Sequence, residues 1–576
     1  MNSAVAVLIA AAIYLGMYFT YGKALQNKVV RADPNRPTPA HKLFDGVDYV
    51  PAHPLVLYGH HFASIAGAGP IVGPAVAMAW GWLPGLIWVW FGNVFIGAVH
   101  DYLALMSSVR YDGKSVQWIA GKLMSRRTGI AFELYIWFAL LLVVAAFTAV
   151  IAGIFKGTPE AATASILFLI SAVIVGWLMY KTSLHFAGAT LVGLILLAIS
   201  VWLGFKYPIQ ASYHTWALFL LVYIIIAASL PVWVLLQPRD YLNAYILWLG
   251  LILGAVAFTL LGSKGTFTAP AYTTWSANVV GGKPSPFWPT IPLVIACGSL
   301  SGFHSIVGSG TSSKQLDNEI HGLMVGYGGM FTEGFLSTIV IASIAIYGFK
   351  VFADAGVDIT ASNWGAIYAP KVASVVGKVG IFSKSYAYGL QDALGVPFKT
   401  GAVFASLWVS AFALTSLDTA TRLGRFAWQE LLGMVTDTSK GTGKALANKW
   451  LASTVIAILG VWLAWGNNWL ILWPAFSGMN QMLASIAMMT GALWVTKVQR
   501  AGKWSYAVLI PALFLWITVT LALLWFLVVV VPGIGDVGTK YAVGIITLTG
   551  LLLNFLLAFD FYAAWKKPAE EYAAAS

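Results

Sequence analysis

Charge is what this sequence has least of. Only 9% of its 576 residues are Asp, Glu, Lys or Arg, where a soluble globular protein carries roughly 25%. That deficit excludes an ordinary soluble fold, because 33 basic and 21 acidic side chains cannot cover the polar surface that several domains of this total length need. Cysteine is almost absent. The lone Cys297 rules out an intramolecular disulfide framework and a thiolate zinc cluster, and the nine histidines show no HExxH-like spacing. No metal site and no cofactor are therefore expected. A phosphate-binding loop is missing too: Gly443-Lys444-Ala445 lacks the upstream Gly and the hydroxyl of GxxxxGK[ST], which turns away from nucleotide-driven chemistry.

What is present is apolar: 59% of the residues are hydrophobic. A membrane span needs about 20 mostly apolar residues and must satisfy its own backbone, so helices are the expected form. The hydropathy predicts an all-α polytopic integral membrane protein with about fifteen spans, near 3–21, 61–80, 83–107, 130–153, 163–180, 185–205, 215–236, 243–263, 287–313, 323–350, 400–420, 449–466, 468–492, 505–532 and 541–565. With the N-terminus outside and the C-terminus cytoplasmic, 23 of the 33 basic residues and all nine arginines fall in inner loops, as the positive-inside rule requires. The net charge of +12 thus reads as a topology signal, and no nucleic-acid partner is expected. The exception is a long outer loop, 350–399, with five lysines. The layout is then an anchor helix (1–22), a cytoplasmic loop (23–58), a first transmembrane repeat (59–264), a second repeat containing that outer loop (287–566) and a cytoplasmic tail (567–576).

Two spans are unusual. The stretch from Gly59 reads GHHFASIAGAGPIVGP, and its glycines and prolines argue against a continuous helix. The stretch Ser64 to Pro70 lies over Ser305 to Thr311 with four of seven positions identical, at an offset of 241 residues. Seven spans separate the two starts, so the second copy should cross in the opposite direction. Paired discontinuous helices in inverted repeats build substrate sites near the midplane, where half-helix N-termini favour an anion such as a carboxylate. The expected substrate-binding set is Ser64, Gly67, Gly69, Gly73, His304, Ser305, Gly308, Ser309, Gly310 and Thr311, with Pro74 opening one half-helix and Thr311, Ser312 or Ser313 capping the other. The alternative is that these glycines only permit close helix packing.

Ionisable residues at membrane depth are functional candidates by default. His60, His61, Asp101, His304, Glu333 and Asp418 are the expected proton-coupling set. For Asp418, an i, i+4 pair with Arg422 offers a purely structural alternative.

The motifs DPNRPTPAHKLFDGVDYVP from Asp33, GHHFASIAGAGPIVGP from Gly59, GAVHDY around Asp101, SGFHSIVGSGT from Ser301 and LTSLDTATRLGRF from Leu414 together resemble the carbon starvation protein A family of bacterial inner-membrane transporters. That resemblance covers residues 30 to at least 436. It implies uptake of short peptides or, in some members, pyruvate with protons. It also implies kinship with the amino acid, polyamine and organocation superfamily, whose core is an inverted five-plus-five repeat; the seven-span offset counted above then means either extra helices between the copies or two segments that do not span. The function expected from residues and resemblance together is secondary active import of a small carboxylate-bearing nutrient, proton-coupled, by a non-enzymatic protein in the bacterial inner membrane. An ion or solute channel built on broken helices is the alternative; the oligomeric state stays open.

Overall fold

The computed structural model describes residues 1–46, 49–231, 234–438, 440–466 and 468–575. It is almost entirely helical, with one two-stranded antiparallel ribbon pairing Ser276–Asn278 with Pro284–Pro286. In chain order the main helices are α1 (Ser3–Val30), α2 (Pro54–Ile65), α3 (Gly69–Trp80), α4 (Trp82–Arg110), α5 (Arg126–Gly157), α6 (Pro159–Met179), α7 (Ala187–Lys206), α8 (Tyr213–Ser229) and α9 (Pro238–Leu260). They continue as α10 (Gly302–Gly310), α11 (Glu319–Asp354), α12 (Gly380–Leu394), α13 (Phe398–Gly433), α14 (Lys449–Ala464), α15 (Trp469–Leu493), α16 (Gly502–Gly533) and α17 (Val537–Lys566).

Composition and caps explain these elements. Long Leu, Ile, Val and Ala runs favour helix, and polar residues close the ends: Ser125 Oγ accepts from Thr128 N at the start of α5, and Asp536 Oδ2 accepts from Thr539 N at the start of α17. Helix α5 is buried on nearly all sides and forms the centre of the bundle. Helices α7 and α17 lie outside. Leu191, Ile195, Ile199 and Trp202 make an exposed apolar stripe along α7, and Ile545, Leu548, Leu552, Phe555 and Phe559 make another along α17. Continuous apolar stripes of this length face lipid, not water.

Ten of these helices are long and apolar enough to cross a membrane, and the bent pair α2 and α3 makes eleven. The other four expected segments fall on α8 and α14, which are shorter, on α15, and on a segment from Phe287 to Gly310 that is interrupted by non-helical backbone at 294–301. Length and composition therefore support about ten spans among the described residues rather than fifteen. The expected outer loop 350–399 is also more ordered than a loop. It carries a helix at Trp364–Lys371 and then α12, which buries Ile381, Phe382, Tyr386 and Leu390. Tyr386 donates to Gly250 O at 2.6 Å, fastening α12 to α9.

Candidate functional site: two broken helices and a buried histidine–carboxylate cluster

The first break is where the glycine and proline pattern places it. Helix α2 stops at Ile65, α3 starts at Gly69, and the two are bent by 49°. Pro70 lies in the first turn of α3, where its missing N–H leaves no intrahelical bond unmade. Pro74, expected to open the half-helix, sits inside it.

The second break differs from expectation. Gly308, Ser309 and Gly310 are helical, inside α10, and Thr311 is that helix's C-terminal cap. The chain leaves helical geometry upstream, at 294–301, between the turn Ile291–Leu293 and the start of α10 at Gly302. The physical reason is the one unmatched residue at the end of the repeat. Pro70 restricts the residue before it and starts a new helix, whereas Thr311 keeps its amide, which donates to Val307 O at 3.0 Å. Gly308 packs on Leu105, Val116 N donates to Ser309 Oγ at 3.1 Å, and nothing lies within 4 Å of a Cβ added at Gly310. These three therefore stand apart from the first break, on the side of α4.

The unwound stretch is held open by side chains from distant helices. On α15, Trp473 Nε1 donates to Val294 O (2.8 Å), Asn480 Nδ2 to Ala296 O (3.0 Å), and Gln481 Nε2 to both Ile295 O (2.8 Å) and Leu300 O (3.0 Å). On α4, Asn93 Nδ2 donates to Gly298 O at 2.8 Å. Five carbonyls that helix formation would otherwise satisfy thus have fixed partners, so the break persists without lipid-exposed backbone.

The two broken segments run antiparallel and touch. Ala52 N donates to Gln315 O at one end, and Trp80 Nε1 donates to Ser285 O (3.0 Å) at the other. Between them, a Cβ at Gly69 would lie 2.5 Å from Cys297 Sγ, and one at Gly73 would lie 2.7 Å from Val294 O. Ser337 Oγ on α11 donates to Pro70 O at 2.8 Å. Gly298, with φ +85, has Ser337 against it where a side chain would point, so only glycine fits. Gly67 faces Ser416 and Phe147 instead. Ser64 and Ser305 donate to His60 O and Gly302 O, each within its own helix.

Beside the second break lies a buried ionisable cluster. Asp101 on α4 receives His100 Nδ1 at 2.7 Å and His304 Nδ1 at 2.8 Å, and His304 Nε2 faces Glu333 Oε2 on α11 at 3.5 Å. All four side chains are fully buried. A carboxylate only accepts, so both rings present N–H at Nδ1 to Asp101, and the second nitrogen of His304 is directed at Glu333. Cys297, His304 and Glu333 each offer a donor atom within 4.8 Å of the others, a spacing that a divalent cation would also fit.

The remaining candidates fall elsewhere. His61 Nδ1 lies 2.8 Å from Ser312 Oγ. Asp418 belongs to a second buried cluster, where Arg239 bridges it to Asp240, Tyr223 OH donates to it at 2.6 Å, and His60 Nδ1 lies 3.9 Å from Asp240 Oδ2. Arg422, the neighbour considered for Asp418, donates to Ala227 O and Leu230 O at the end of α8. Sequence reasoning missed Arg239, Tyr223, Cys297, Asn93, Asn480 and Gln481 as parts of these arrangements. The available signal was polarity at membrane depth, most plainly the Asn480-Gln481 pair inside an apolar run.

Fold and site together define a polytopic helical membrane protein in which two antiparallel broken segments meet beside a buried histidine–carboxylate cluster. The chain belongs to the carbon starvation protein CstA family, whose profile matches residues 2–522. It is 31% identical to the peptide transporter CstA of Bacillus subtilis (strain 168), over 98% of this chain and 97% of that one. It is 34% identical to the peptide transporter CstA of Escherichia coli (strain K12), over 88% of this chain and 79% of that one. The pyruvate/proton symporter BtsT of Escherichia coli (strain K12) is 30% identical over 90% of this chain and 80% of its own. Among solved structures, a manganese transporter of Eremococcus coleocola aligns over 91% of this chain and 99% of its own, at 12% identity and a TM-score of 0.44. A score this low leaves the fold to be read from the helices themselves.

Proposed function

We propose that the protein is a secondary active transporter that imports a small carboxylate-bearing nutrient, a short peptide or pyruvate, together with protons across the bacterial inner membrane. The observation that carries this reading is the cluster at the break: His304 is held by Asp101 on one nitrogen and directed at Glu333 with the other, where the two discontinuous segments meet. The printed names of the relatives, peptide transporter and pyruvate/proton symporter, support the same class.

The chemistry follows from geometry. At 3.5 Å the His304–Glu333 contact is too long for a strong hydrogen bond. A proton placed between Nε2 and the carboxylate turns that contact into a hydrogen bond and draws α10 toward α11. The frayed backbone at 66–68 and 294–301, beside Gly67, Gly69 and Gly73, is where we place the substrate carboxylate, with half-helix N-termini as its counter-charge. Proton loading and substrate loading then act on the same two segments, which is what coupling needs. In this reading the inverted repeat of discontinuous helices, five-plus-five or seven-plus-seven, and the outside N-terminus are retained, and His60, His61 and Asp418 line the route to the arginine-rich end.

Uptake of labelled pyruvate and labelled dipeptides into proteoliposomes, with and without an imposed pH gradient, tests the proposal. Saturable, gradient-dependent accumulation of one of them is expected. Single-channel conductance without uphill uptake would establish the channel instead.

A further inference from the structure

A surface pocket that includes no residue of the broken helices lies where α15, α16 and α17 converge. It has a volume of about 510 Å³, within the size range of small-ligand sites, and its walls include Thr496, Arg500, Lys503, Ser505, Tyr506 and Trp565. Its location follows from a tight turn: the helix carrying α15 runs on to Val498, Arg500 takes a left-handed conformation (φ 49), and Gly502 (φ 60) lets the chain re-enter helix at once. Two cations are thereby presented at the mouth of a groove between lipid-facing helices.

Charge, hydrogen-bonding capacity and depth all point to one kind of occupant. Among the described residues neither Arg500 nor Lys503 is paired with a carboxylate. Thr496 Oγ1 and Ser505 Oγ are withdrawn from solvent yet have no hydrogen-bond partner, although buried hydroxyls are normally satisfied. Further cations surround the pocket: Lys28 lies over the Trp504 ring at 5.0 Å, and Lys497 donates to Lys567 O at 2.6 Å while lying 5.7 Å from the Trp565 ring centre. Glu570 and Glu571 follow Ala569 at its edge, and neither lines it. The adjoining faces of α16 and α17 are apolar and exposed, with Tyr506, Ile510 and Tyr562 outermost. Aromatic rings at the ends of spans and basic residues beside them mark the level of lipid headgroups.

We propose that this pocket binds the phosphate headgroup of an anionic phospholipid, with Arg500 and Lys503 neutralising the phosphate, Thr496 and Ser505 donating to its oxygens, and the acyl chains lying along α16 and α17. Because Arg31 Nη2 also reaches Arg500 O at 3.5 Å, the same turn touches the end of α1, so a seated lipid braces α1 against α15. The site is independent of the transport proposal and stands or falls separately.

Native mass spectrometry of the full chain, released from nanodiscs of mixed phosphatidylglycerol and phosphatidylcholine, tests it. Wild-type protein should retain phosphatidylglycerol in preference to phosphatidylcholine. Arg500→Gln/Lys503→Gln should weaken that retention roughly 30-fold, as expected for two cations near an anionic surface. Lys440→Gln/Lys444→Gln, which removes the same charge from an exposed segment elsewhere, should leave it unchanged. Thr496→Val/Ser505→Ala, which alters no charge, should reduce retention several-fold in a protein whose thermal stability without lipid is unchanged. Equal loss in the Lys440/Lys444 control, or equal retention of both lipids by the wild type, would overturn the proposal. So would displacement of the lipid by millimolar inorganic phosphate, since the site would then recognise the free anion.

Discussion

The Nδ1 atom of His304 lies 2.8 Å from Oδ2 of Asp101, a contact between two fully buried side chains 203 residues apart in the sequence. It ties the start of α10 to the middle of α4 and fixes which nitrogen of His304 is left for Glu333. Asp101→Asn keeps the shape but removes the charge that orients both His100 and His304. Breaking a buried pair by changing one partner costs about 3–5 kcal/mol. The expected outcome is a clear fall in melting temperature in detergent together with loss of proton-coupled uptake, read by thermal unfolding and proteoliposome transport on the same preparation.

Gln481 donates to two of the five carbonyls held at the second break, Ile295 O and Leu300 O. Gln481→Leu fits the volume and satisfies neither, and each orphaned buried acceptor costs about 1–3 kcal/mol. The substitution should destabilise by roughly 2–6 kcal/mol on this count, measured by reversible unfolding in mixed micelles. Gln481→Glu, which keeps an oxygen but loses the donor, should not rescue it.

How much of this was legible in advance differs element by element. The first break was readable because Pro70 and the glycines around it act through local backbone geometry, which sequence carries directly. The seven-residue match points to Gly308 and Gly310 instead of 294–301, because it reports similarity of side chains and says nothing about distant partners. What unwinds 294–301 is a set of donors on α15 and α4, supplied from about 180 to 205 residues away. His304 and Glu333 were singled out from charge at membrane depth, but their meeting, and the Arg239 bridge to Asp418, depend on helix packing that no local pattern encodes. The span count differs for a related reason: hydropathy does not report where a helix ends, and α8 and α14 are apolar but shorter than the other spans.

Cys297 is the sole cysteine of the chain and sits in the unwound stretch, pressed against Gly69 and only 4% exposed. The protein is thus a natural single-cysteine reporter of the break. In the arrangement described here a water-soluble maleimide should label it slowly. If the two segments separate during transport, labelling should accelerate several-fold under turnover with substrate and a pH gradient, and Cys297→Ser should abolish the signal. Labelling at one constant slow rate under all conditions would mean that the breaks do not open.

Proton coupling at this cluster is tested most directly by Glu333→Gln, which retains size and hydrogen bonding but cannot hold the shared proton with His304 Nε2. Two fluxes should be measured in the same proteoliposomes with the substrate the wild type accumulates: gradient-driven uphill uptake, and substrate counterflow without a gradient. Counterflow is expected to stay within a few-fold of wild type while uphill uptake is lost. Uphill accumulation at the wild-type level in Glu333→Gln would contradict that coupling.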